Sequence, residues 1–106
     1  MDLDELTLET AKPLAGTVFE VALPDGGTTT LKLDETLAFE PVGRMPRGMR
    51  AHAGRTPFSL YFLGPPSVVL PQGTYTLRSE RVTWDRLFIV PIGRDDEATE
   101  YEAVFT

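Results

Sequence analysis

The chain has no cysteine, a single histidine and a single tryptophan, and no apolar run that approaches the length of a membrane span. The missing cysteine excludes a disulfide framework, a thiolate nucleophile and every sulfur-bound zinc site. One histidine leaves little for a hydrolytic triad, which needs a base held beside a nucleophile, and His52 lies in a glycine-rich stretch where no neighbour positions it. Metal binding is then left to carboxylates. Asp95-Asp96-Glu97 are consecutive, whereas loop-type calcium ligands alternate, so they are read as a solvated hairpin turn. No glycine pair has the spacing of a phosphate cradle. No catalytic, cofactor-binding or metal-ligating residue is assigned, and the chain is expected not to be an enzyme. An acidic start, Met1-Asp2-Leu3-Asp4-Glu5, and no run near the ~18 apolar residues of a membrane helix predict a soluble cytoplasmic protein with no membrane partner.

With 106 residues, 42% hydrophobic and 25% charged, the chain has the size and composition of a single globular domain spanning 1–106. Its net charge of -6 argues against attraction of the whole surface to nucleic acid. The distribution is uneven. Residues 41–56 carry Arg44, Arg47, Arg50 and Arg55 with no carboxylate, which leaves six bases against sixteen acids elsewhere. Three glycines, the prolines and the absence of an apolar period make this an irregular loop, longer than most connections in a compact domain. Guanidinium groups recognise phosphate and carboxylate bidentately, so these four arginines form a candidate anion-binding set, with Tyr61 or Tyr75 as nearby stacking surfaces. The plainer reading is a surface loop that offsets the acidic remainder.

Elsewhere large apolar residues recur every second position. Phe19, Val21 and Leu23 alternate up to Pro24-Asp25-Gly26-Gly27, a turn sequence, and Leu31 and Leu33 resume beyond it, which predicts a β-hairpin. The same parity reaches Leu37 and Phe39 but places Glu35 on the apolar side, so a bulge is expected near Asp34-Glu35. Phe58, Leu60 and Phe62 mark a central strand stopped by Gly64-Pro65-Pro66, and Tyr75 and Leu77 mark another after Leu70-Pro71-Gln72-Gly73. Trp84 is expected in the core or at its rim. Leu87-Phe88-Ile89-Val90-Pro91-Ile92 is continuously apolar, which predicts a strand buried on both faces up to Pro91. Tyr101, Ala103 and Phe105 alternate in a last strand. Thr7 is a plausible N-cap for a short helix through Leu8, Ala11 and Leu14, limited by Pro13 and ended by Gly16. The sum is a mainly β domain: a small antiparallel barrel or sandwich of six to seven strands with a short N-terminal helix.

The segments Pro57-Phe58-Ser59-Leu60-Tyr61-Phe62, Leu70-Pro71-Gln72-Gly73-Thr74-Tyr75, Phe88-Ile89-Val90-Pro91-Ile92-Gly93 and Tyr101-Glu102-Ala103-Val104-Phe105 resemble a family of small bacterial domains of unknown function. Leu6-Thr7-Leu8-Glu9 and Gly16-Thr17-Val18-Phe19 are similar to it too, so the resemblance spans nearly everything except 41–56. Members of that family are often encoded near phage-tail-collar-like proteins, which implies an accessory or assembly role and transfers no catalytic residue. The expected function is a non-enzymatic protein-interaction or assembly module, with a protein partner or a copy of itself. Its final strand, Tyr101, Ala103, Val104 and Phe105, is the expected site of edge pairing. The alternative is a binder of an anionic ligand or single-stranded nucleic acid through the arginine loop.

Overall fold

The computed structural model describes residues 3–38 and 57–105. The four arginines of the loop, its histidine His52 and Phe39 lie outside the described residues.

The N-terminal segment follows its capping chemistry. The Thr7 hydroxyl accepts from the Thr10 N–H at 3.3 Å, and the Thr10 hydroxyl accepts from the Thr7 N–H at 2.9 Å, a reciprocal box that satisfies two orphan donors at once. Helix α1 runs from Leu8 to Ala11, and a 3-10 turn over Lys12–Leu14 takes over at Pro13, which has no N–H for the α ladder. Gly16 then turns the chain at φ 90°, in the left-handed region that favours glycine. Leu6, Ala11 and Leu14 are buried in the same core as the strand residues, so this segment seals part of the barrel interior.

The strands are β1 (Val18–Ala22), β2 (Thr28–Ala38), β3 (Phe58–Gly64), β4 (Gly73–Arg78), β5 (Thr83–Arg94) and β6 (Thr99–Phe105). All pairings are antiparallel and close into a barrel in the order β1-β2-β3-β6-β5-β4. The expected fold class is therefore correct, with the barrel rather than the sandwich realised. The barrel is two three-stranded meanders joined along β3–β6 and β1–β4. In each, the long middle strand is bulged, between Leu33 and Glu35 in β2 and between Pro91 and Gly93 in β5. The seams are unequal. β3 pairs with β6 along its whole length, from Phe58↔Phe105 to Gly64↔Thr99, whereas β1 meets β4 only at Glu20↔Arg78 and Val21↔Leu77.

The interior is filled from alternate positions. Phe19 stacks on Trp84 at 4.8 Å, Phe62 meets both edge-on, and Phe58 stacks on Phe105 at 4.8 Å. The Tyr101 hydroxyl accepts from the Leu70 N–H at 2.9 Å and donates to the Val68 carbonyl at 3.3 Å, pinning the link between β3 and β4.

Three expectations are corrected. The bulge at Asp34-Glu35 is present, and because it shifts the register it turns Leu37 outward together with Glu35. The run from Leu87 to Pro91 is buried on one face only: Leu87 and Ile89 point into the core, while Phe88 is exposed, as is Ile92 beyond it, because the outer face of a single-layer barrel meets water. The last strand is no edge. β6 lies between β3 and β5 and is paired to both, since closing the barrel places it in the interior of the sheet.

Candidate interaction surface

The outer face of β2, β3, β6 and β5 carries four of the six exposed large apolar side chains among the described residues, Val18 and Val69 lying elsewhere. Register fixes its rows. Leu37, Ser59 and Val104 lie side by side across β2, β3 and β6, and the next row is Glu35, Tyr61, Glu102 and Val90. A third row holds Lys32, Leu63, Glu100 and Gly93. Val90 faces Glu102, so the same register carries Phe88 toward Val104. Leu37, Phe88, Ile92 and Val104 are 48, 48, 46 and 51% exposed, which leaves about half of each apolar side chain in water on one side of a small barrel.

A polar cluster sits within this apolar surface. One Glu102 carboxylate oxygen accepts from the Ser59 hydroxyl at 2.8 Å and from the Tyr61 hydroxyl at 3.0 Å. Burial raises the Tyr61 hydroxyl above its ordinary pKa, and its bond to Glu102 raises it further, so it stays a protonated donor at neutral pH. Ser59 is wholly buried, so its hydroxyl holds the carboxylate in place and reaches no substrate. The two hydroxyls thereby orient the Glu102 carboxylate on the outer face of the barrel. Among the described residues no group of three His, Cys, Asp or Glu side chains converges as a metal site.

The residues expected to act are scattered by this architecture. Tyr61 and Tyr75 stand on β3 and β4, which are not neighbours, and the Tyr75 hydroxyl is committed to the Pro71 carbonyl at 2.7 Å. Tyr101, Ala103 and Phe105 are buried in the core, and of the last-strand set only Val104 is exposed. Asp95 forms the turn between β5 and β6, accepting from the Glu97 and Ala98 N–H groups at 2.8 and 2.9 Å. The apolar rhythm of the sequence points Leu37 and Phe88 inward, and the structure turns both to the surface. The unbroken apolar run over Leu87–Ile92 was the available signal, because a barrel strand always has one outward face.

A family model described as a domain of unknown function (DUF6916) matches residues 6–105. No curated protein and no solved structure matches the chain. Among the described residues no helix is long and apolar enough to cross a membrane.

Proposed function

Because the chain belongs to the DUF6916 family of domains of unknown function, which brings no reaction with it, we propose that it is a non-enzymatic protein-interaction or assembly module. The observation that carries this reading is the row of half-exposed apolar side chains, Leu37, Val104 and Phe88, flanking the braced Glu102 carboxylate. Apolar area rimmed by fixed polar groups is what binding faces use, since the apolar part gains from desolvation and the polar part sets orientation. We extend the proposal to an accessory role in a cytoplasmic phage-tail-like system, on the resemblance described above.

A photo-cross-linking residue at Val104 or at Phe88, expressed in the source cell, tests the reading against the same residue at exposed Thr28, which lies on the β1–β2 hairpin. Adducts to a protein from positions 88 and 104 but not from 28 are expected. No adduct from either, or equal labelling from all three, refutes it.

A second reading, binding of an anionic ligand or single-stranded nucleic acid, is favoured by Arg44, Arg47, Arg50 and Arg55, which fall in a stretch of sequence without a carboxylate. Such contacts weaken steeply with salt, so a salt titration against a short oligonucleotide decides it. Absence of binding at low salt eliminates this reading.

A further inference from the structure

Two neighbouring rows on the outer face differ in character. Leu37, Ser59 and Val104 make up one, which the register extends to Phe88, and its three exposed members are apolar. The next row, two residues further along each strand, is Glu35, Tyr61, Glu102 and Val90. Residues directly opposite on adjacent strands hold their Cβ atoms about 5 Å apart, so Glu35 and Glu102 flank Tyr61 at about 10 Å from each other. Neither row contains a lysine or an arginine. Lys32 enters only with the row beyond, opposite Leu63.

The two carboxylates act on one group. Burial raises the Tyr61 hydroxyl above its ordinary pKa, followed by its bond to Glu102 and by the charges of Glu102 and Glu35. The hydroxyl therefore stays a donor, and its 3.0 Å bond, with the 2.8 Å bond from Ser59, fixes Glu102 before anything binds. A carboxylate already held in one orientation loses little side-chain freedom on binding, which favours a directional donor over diffuse counter-ions.

Charge and shape limit what can cover such a face. Phosphate groups of nucleic acids and of anionic lipids are repelled by the two carboxylates. A small molecule needs a concave site, and the outside of a closed barrel is convex. A second copy meeting through the same two rows would bring like charges together. A different protein that carries a cation among apolar side chains complements both rows. Arginine suits the position better than lysine, because its planar guanidinium forks onto a carboxylate, lies flat on an aromatic ring and is weakly hydrated. We propose that this face docks a partner protein through an arginine seated over the Tyr61 ring between Glu35 and Glu102, with apolar side chains of that partner covering Leu37, Val104 and Phe88. The inference rests on the interaction-module reading and names the chemistry of the partner.

The test selects from a displayed library of short random peptides against the full chain. Enriched peptides should carry an arginine beside apolar residues, and a synthetic copy of one should shift the amide resonances of Tyr61, Glu102 and Val104. Glu102→Gln keeps an acceptor for both hydroxyls but removes the charge, so it should weaken that peptide about tenfold, the size expected of one charge-assisted bond. Replacing the peptide's arginine by lysine should weaken it several-fold. Glu9→Gln, which removes a charge from α1 instead, should leave binding unchanged. Should Glu102→Gln fail to fold, Glu35→Gln at the exposed bulge carries the same expectation. The proposal is overturned if no peptide is enriched, if the folded glutamine variant binds as the parent does, or if lysine replaces arginine without loss. Peptides that shift Val104 and Phe88 with no need of arginine would reject the arginine seat and leave the interaction face standing, whereas failed cross-linking from positions 88 and 104 rejects the face itself. Self-association of the chain that Glu102→Gln abolishes would assign the face to a second copy and overturn the choice of a different partner.

Discussion

The indole of Trp84 is buried on all sides, stacked on Phe19 and edge-on to Phe62, yet its Nε1 has no hydrogen-bond partner among the described residues. Two terms oppose each other at this position. Ring contacts stabilise the core, while a buried donor without an acceptor costs about 1–3 kcal/mol. Trp84→Ala should destabilise the barrel by about 3–5 kcal/mol, since it removes the whole ring and leaves a cavity. Trp84→Phe should cost far less, because it keeps a stacked ring and deletes the unsatisfied donor. Urea unfolding followed by far-UV circular dichroism separates them, and equal losses would show that the orphan N–H carries no penalty. Asp95 shows a second single-residue effect. The Ala98 N–H, and then the Glu97 N–H, hold its carboxyl below the usual aspartate range. A lowered folded pKa stabilises above the unfolded value, about 3.9, and that stabilisation is lost as pH falls through the folded pKa. Asp95→Asn keeps an acceptor oxygen but cannot ionise. The gap in melting temperature between parent and variant should hold steady from pH 7 to 5 and close below pH 4. A gap unchanged down to pH 3 would refute this cause. Sequence alone placed Asp95 in a turn, since acidic residues between two strands signal one; its two backbone donors emerged only with the turn's geometry.

Strands here are shaped as much by their neighbours as by their own residues. Gly64 ends β3 at a position where a Cβ would lie 2.9 Å from Leu31 Cδ2 and 3.3 Å from both Thr30 O and Tyr101 Cε2. Backbone and a packed ring cannot yield easily, so Gly64→Ala should destabilise by about 1–3 kcal/mol. Gly93, in the bulge of β5, would place its Cβ in open space, and Gly93→Ala should be neutral or stabilising by up to about 1 kcal/mol through the lower entropy of the unfolded chain. Thermal unfolding of both variants checks the pair, and a tolerated Gly64→Ala would mean that β2 and β6 shift to make room. In the sequence both glycines read alike, as terminators of apolar runs. What separates them is the distance to other strands. The bulge in β2 illustrates the converse. The mismatch of Glu35 with the apolar parity announced it, and the same shift that rescued Glu35 exposed Leu37, an outcome legible once the bulge is counted as one extra residue.

For the whole barrel, the unequal seams set an order of opening. β3 and β6 share an unbroken ladder, whereas β1 and β4 touch at two register pairs. Local opening follows the sparsest pairing, so amides of β1 and β4 that face the seam should exchange before those of β3 and β6. Native-state hydrogen exchange resolves this, and uniform protection around the barrel would refute it. Strand rhythm, the turn at Pro24–Gly27, the Thr7 cap and the inward set of Phe19, Leu60, Phe62 and Tyr101 were determined by the sequence alone. Each depends on residues within a few positions of one another, where pleat alternation and turn chemistry act. Tertiary structure decided that the last strand lies inside the sheet, that Phe88 and Ile92 face water, and that β1 meets β4 at only two register pairs. Those outcomes follow from joining residues more than forty positions apart, such as Phe58 and Phe105, into one closed sheet. Closure assigns every strand a second neighbour and every apolar run an outer face, and local residue preferences do not encode which.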